Sequence, residues 1–93
     1  NNALAFHDIS PRAPIHVLII PKKAYQNFYE FISLATKDEI LDFHELINKI
    51  IKEKKLYDNG YRIIANNGID ANQEVKHLHY HLLGGKNLGL MIN

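Results

Sequence analysis

Apolar positions along the chain change their period several times, and each change marks an element. The run NALAFHD is short and mixed and closes on SPRAP, so it reads as a strand followed by a turn. IHVLIIP is dense in β-branched residues and stops at Pro21, the pattern of a strand covered on both faces, with His16 its polar exception. In YQNFYEFI the spacing of Tyr25, Phe28, Tyr29 and Ile32 is helical but brief, and a short helix and an irregular loop both satisfy it. From Thr36 onward the spacing predicts a long helix. Thr36 and Glu39 form a capping box at its start, and Asn59 with Gly60 supplies the stop signal. Ile40, Phe43, Ile47, Ile50 and Ile51 share one stripe, while Glu45, Lys49 and Glu53 repeat at four-residue steps on the polar side. YRIIAN and KHLHYHLL then read as strands joined by the polar loop NGIDANQE. The order is strand, strand, helix, strand, strand.

Composition narrows the class. The 93 residues suit one domain, 1–93, with no linker, repeat or low-complexity block. With 46% hydrophobic and 23% charged residues the chain has a globular composition. A net charge of +1 gives no global pull toward nucleic acid or an acidic membrane, so neither is expected as a partner. The apolar run Ile15 to Ile20, interrupted by His16, is far too short to span a bilayer. The lack of cysteine removes disulfides and thiolate chemistry and fits a reducing compartment; a cytoplasmic location, with a nuclear share left open, is the expectation. The chain begins without methionine and enters a strand almost at once, which points to a segment upstream.

The chemistry concentrates in HLHYHLLGG, residues 77 to 85. Along a strand, residues i and i+2 share a face about 6.5 to 7 Å apart, so His77, His79 and His81 form a row, and Leu78, Tyr80 and Leu82 face the core. With an ordinary pKa of ~6.5, an imidazole at neutral pH can serve as nucleophile, acid or base. One ring can attack a phosphorus while its neighbours reach oxygens or the leaving group, which suits phosphoryl or nucleotidyl transfer. A metal reading competes, because His-x-His on a strand can chelate zinc with His16 or Asp8 from a neighbouring strand. No cysteine pair or HExxH helix supports it, and neither a metal nor a cofactor is expected. His44, inside the helix, reads as a packing or surface residue. Gly68 and the backbone and side-chain amides around Gln73 offer the materials of an oxyanion or phosphate cradle, but equally those of an ordinary hairpin turn, and Gly84 with Gly85 has the plain role of ending the strand.

The row followed by GG resembles the signature of the histidine triad superfamily, His-φ-His-φ-His-φ-φ with φ hydrophobic, here His77 to Leu83. The resemblance extends to AFHDISPRAPIHVLIIPKK, GYRIIANNG and QEV. The glycine pair and HDISPRAP point to the histidine triad nucleotide-binding proteins, also called protein kinase C interacting proteins, rather than to the dinucleoside polyphosphate hydrolases. The third histidine argues against the uridylyltransferase-like branch, which has glutamine there. The resemblance implies an α+β fold, a mostly antiparallel sheet of about five strands with one main helix and a short second one. It also implies a homodimer whose sheets join across the interface.

For function, the resemblance implies a purine nucleoside phosphoramidate hydrolase that releases a nucleoside monophosphate and an amine. His79 would attack the α-phosphorus and carry the nucleotidyl group until water resolves it. His81 would contact the phosphate and assist the leaving group, and His77 with His16 would complete a hydrogen-bonded set orienting His79. Asp8 matches the carboxylate that holds the ribose hydroxyls, and Phe6, Ile9 and Leu18 match nucleoside-pocket positions. Asn66, Gln73, Glu74 and Val75 match the loop that wraps the phosphate through side-chain amide and backbone donors. Departures are also visible. Relatives carry roughly 30 further residues before ALAF, an apolar wall of the base pocket among them. Glu74 stands where some relatives have serine, Lys76 where many are aromatic, and the tail KNLGLMIN has no tryptophan. A nucleotide-binding scaffold with incidental turnover is the second reading, and a dinucleoside polyphosphate hydrolase a weaker third.

Overall fold

A computed structural model describes residues 2–91. Strands β1 (Ala3–His7) and β2 (Ile15–Pro21) are followed by helices α1 (Phe28–Leu34) and α2 (Lys37–Glu53), then by β3 (Tyr61–Ile64), one turn of 3₁₀ helix (Ile69–Ala71) and β4 (Tyr80–Gly84). The strands form one antiparallel sheet in the order β1-β2-β4-β3. Four strands therefore make the sheet among the described residues, against the expected five or so. The ambiguous YQNFYEFI segment resolves as helix: Asn27 caps it, its side chain accepting from the Glu30 N–H at 2.9 Å.

Helix α2 starts as expected, with both halves of the Thr36–Glu39 capping box formed. It ends well before Gly60. Lys55 takes the left-handed conformation (φ 56°), its N–H donates to the Lys52 carbonyl, and the Leu56 N–H reaches back to Ile51. This is a Schellman cap with lysine where glycine is usual. The early stop turns Leu56 inward, and it is buried against Gly84, where an added Cβ would lie 2.7 Å from a Leu56 methyl. Gly85 has φ 92°, so the glycine pair meets two separate demands, space and backbone conformation.

The core lies between the sheet and the helices. Phe43, Ile47, Ile50 and Ile51 of α2 meet Val17, Ile19, Leu78, Tyr80 and Leu82, with Phe31 of α1 fully buried beside them. Leu78, Tyr80 and Leu82 thus face the core as their alternation predicts. The strand holding them is shorter than KHLHYHLL, because pairing with β2 stops at Ile19 opposite Tyr80. The next outward-bonding position would set Leu78 against Pro21, which has no N–H for the Leu78 carbonyl and whose own carbonyl accepts from the His77 ring. The Leu78 N–H turns instead to the Tyr25 carbonyl at 2.7 Å.

Candidate active site

The sheet face away from α2 carries the polar chemistry. Strand registers place Phe6 opposite Leu18, Leu18 opposite His81 and His81 opposite Ile64, one row of side chains across the whole sheet. The neighbouring row brings together Asp8, His16, Leu83 and Arg62: the Asp8 N–H donates to the His16 carbonyl, and His16 pairs with Leu83, which pairs with Arg62. Two segments far apart in sequence, HDIS and HLHYH, meet because β2 lies between β1 and β4.

Hydrogen bonds assign the proton on each ring. The Arg12 N–H donates to His16 Nδ1 at 3.0 Å, so neutral His16 carries its proton on Nε2. That proton is directed to His81 Nδ1, 2.9 Å away, with Asp8 Oδ2 at 3.5 Å from the same nitrogen. His81 is then protonated on Nε2. His79 donates from Nδ1 to the His77 carbonyl at 2.9 Å, which leaves the Nε2 lone pair free. The rings of His79 and His81 lie 5.1 Å apart, edge to face. Burial, reinforced by the neighbouring imidazoles of His79 and His16 and opposed by Asp8, holds the His81 pKa below the ordinary histidine range. At neutral pH His81 is therefore an uncharged donor.

His77 works differently from the expected ring-to-ring set. Its ring donates from Nε2 to the Pro21 carbonyl at 2.9 Å, and only its backbone carbonyl touches His79. His16 bonds to His81, and so supports the donor rather than the free lone pair. Of the three histidines only His81 lies inside β4; His77 sits in a bend and His79 in the irregular residues before the strand.

The loop after β3 is held by one side chain. Gln73 accepts from the Gly68 N–H at 2.8 Å and donates to the carbonyls of Gln26 and Val75 at 2.6 and 3.0 Å. Its own N–H returns to the Gly68 carbonyl, and Asn67 ties the loop to α1 by accepting from the Phe28 N–H. The Gln73 amide is thus occupied within the loop rather than presented to a ligand. Asn66 is half-buried two residues past Ile64, while Glu74 and Val75 are exposed. Ile9 is 98% exposed, outside the row formed by Phe6 and Leu18. Asp8 Oδ1 accepts from the Ser10 N–H, a local turn that aims the other oxygen at His16.

Sequence reasoning did not single out Ile64, the row partner of His81, or Leu4, whose partner Ile20 continues the same face. Their period-two spacing from Arg62 and Phe6 was the available signal. The backbone groups of Arg12 and Tyr25 left none. Asp8, His16 and His81 also converge closely enough to offer ligand atoms within 4.8 Å of one another, as the competing metal reading required. His16 Nε2 and His81 Nδ1 are bonded to each other here.

Residues 1–88 match the HIT domain family. A histidine triad protein from Clostridium difficile is 43% identical, with a TM-score of 0.84 over 99% of this chain and 79% of that one. A HIT family hydrolase from Legionella pneumophila is 40% identical, with a TM-score of 0.78 over 95% and 78% of the two chains. A histidine triad nucleotide-binding protein from Candida albicans is 31% identical, with a TM-score of 0.75 over 99% and 72%. With the triad, the fold and the family match agreeing over nearly the whole chain, this protein belongs to the HIT domain family.

Proposed function

We propose that this protein is a purine nucleoside phosphoramidate hydrolase of the histidine triad nucleotide-binding type, also called the protein kinase C interacting type. The observation that carries the reading is the tautomer of His79, with Nδ1–H tied to the His77 carbonyl and the Nε2 lone pair free. Nε2 attacks the α-phosphorus, and the bond from phosphorus to the leaving nitrogen breaks as that nitrogen takes the Nε2 proton of His81, which enters this step as imidazolium, protonated beside the bound anion, and leaves it as neutral imidazole. The amine departs neutral and the nucleotidyl group rests on His79. His81 Nε2, now a base, takes a proton from water as the water oxygen attacks the same phosphorus. The phosphorus–Nε2 bond breaks, and the nucleoside monophosphate leaves with both histidines restored. One proton is given and one recovered in each cycle.

In this reading Phe6, Leu18 and Ile64 form the apolar floor for the base, Asp8 takes the ribose hydroxyls, and Asn66 with the backbone of Glu74 and Val75 surrounds the phosphate. Descriptions of the Candida relative as nucleotide-binding and of the Legionella relative as a hydrolase support the assignment. A homodimer belongs to the same proposal: β3 is an edge strand with Tyr61 and Ile63 exposed, and a second copy of β3 would continue the sheet. The test is turnover of adenosine 5′-phosphoramidate beside a diadenosine polyphosphate, with mass from light scattering. Preference for the phosphoramidate by a protein of twice the chain mass is expected. Preference for the dinucleotide overturns the substrate, and a monomer overturns the assembly.

A further inference from the structure

His79 is not itself held by the sheet ladder. Pairing of β4 with β2 stops at Tyr80, and His77, Leu78 and His79 precede it. Their support comes from the end of β2 and its connection to α1, where three backbone carbonyls stand in for a neighbouring strand. The Pro21 carbonyl accepts from the His77 ring at 2.9 Å, the Tyr25 carbonyl from the Leu78 N–H at 2.7 Å, and the Gln26 carbonyl from the Gln73 amide at 2.6 Å. The middle contact bears on the chemistry. The Leu78 N–H and the His77 carbonyl belong to one peptide unit, which is planar, so fixing one end fixes the direction of the other. Tyr25 holds the N–H end, and the carbonyl end accepts the Nδ1 proton of His79 at 2.9 Å. Each bond also polarises the peptide in favour of the other. The tautomer of His79 therefore depends on where the Tyr25 carbonyl sits.

Residues 22–26 form neither helix nor strand, so the backbone alone does not place that carbonyl. The Tyr25 side chain does. It is 3% exposed, its ring lies 5.3 Å from that of Phe31, and its hydroxyl lies 3.1 and 3.0 Å from the two oxygens of Glu39. Glu39 is fixed in turn by the capping box of α2, where it accepts from the Thr36 N–H at 3.0 Å. Burial and the Glu39 carboxylate raise the Tyr25 phenol above its ordinary value, and the Thr36 N–H lowers Glu39 below its own, so the hydroxyl remains the donor and the carboxylate the acceptor. A phenylalanine would fill the same core space, and the capping box closes without Tyr25. Neither packing nor the start of the helix requires the hydroxyl. Every contact in this relay, from Glu39 through Tyr25 and Leu78 to His79, lies within one chain, and none involves β3.

We propose, on the reading of His79 as the nucleophile, that Tyr25 is a positioning residue for the reaction: anchored on Glu39, it holds the peptide unit between His77 and Leu78 and through it the Nδ1–H tautomer of His79. The test compares the native full chain with Tyr25→Phe at about pH 8, where imidazole is neutral. Ring-nitrogen chemical shifts should report His79 as Nδ1–H in the native protein and as a mixture of the two tautomers in the variant, with faster amide exchange at Leu78. On adenosine 5′-phosphoramidate, kcat should fall about tenfold while KM changes by less than about twofold. Glu39→Ala removes the same anchor from its other end and should give the same mixture, and the double variant should be no worse than the more affected single one. Glu39→Gln, whose amide oxygen still accepts from Tyr25 and Thr36, should keep kcat within about twofold of native. An unchanged His79 tautomer in Tyr25→Phe, or a loss confined to stability or to KM, would overturn the proposal. If the native protein leaves the phosphoramidate intact, the phosphoramidase reading falls, while the ring-nitrogen comparison still decides whether Tyr25 sets the tautomer.

Discussion

From Leu78 to Leu82, alternate side chains live in two environments. Leu78, Tyr80 and Leu82 are held by close packing against α1 and α2, while His79 is held by a hydrogen bond to the His77 carbonyl and His81 by one to the His16 ring. Packing tolerates any apolar shape of the right volume, but the histidine face depends on which nitrogen bears each proton. The first face makes the strand stay; the second makes it react.

Variants that separate the two faces test this contrast. His79→Ala should lower turnover of an adenosine phosphoramidate by about 10⁴-fold or more while changing folding stability by no more than about 0.5 kcal/mol. Leu82→Ala should do the reverse, losing ~2 to 5 kcal/mol in urea denaturation while the folded fraction keeps near-normal turnover. Equal destabilisation by both would mean that the histidines are structural. Gln73→Glu probes the loop between the two faces. A carboxylate can still accept from the Gly68 N–H but cannot donate to Gln26 and Val75, so kcat/KM should fall roughly 10- to 100-fold through misplaced phosphate donors. If Gln73 instead touched substrate directly, Gln73→Glu would repel the anion, and the loss would sit in KM with amide-exchange protection of residues 66–75 unchanged.

The pH dependence sharpens the same comparison. His81 has a folded pKa lowered chiefly by burial, so the unfolded chain takes up its proton first as pH falls. Its contribution is complete above the unfolded value of ~6.5 and is lost as pH falls through the folded one. His81→Gln should therefore flatten the fall of the urea midpoint in that window; an unchanged slope would contradict the assignment. Smallest of all, Lys55→Gly should relieve the left-handed backbone at the end of α2 and add about 0.5 to 1 kcal/mol.

Much of this was legible in the chain because periodicity reports on faces. The start of α2, its stripe, β1, β2 and the triad followed from apolar spacing and capping chemistry. The end of α2 did not, because Gly60 is a stronger written signal than Lys55, and only the pull of Leu56 toward Gly84 settles the matter. KHLHYHLL looked like one strand because side-chain alternation survives where ladder bonding stops, and the cause lies in Pro21 on a different strand. The protonation pattern was equally unwritten, since the Arg12 N–H and the His77 carbonyl belong to the backbone and carry no residue-type signal.

The central claim is that His79 Nε2 becomes covalently nucleotidylated. The direct measurement is intact mass after rapid quenching of a single turnover of adenosine phosphoramidate, with His79→Ala run in parallel. A transient increase of one adenylyl group in the native protein, absent from the variant, is the predicted result. Complete turnover with no adduct at any quench time, or an adduct that persists in His79→Ala, would contradict the account.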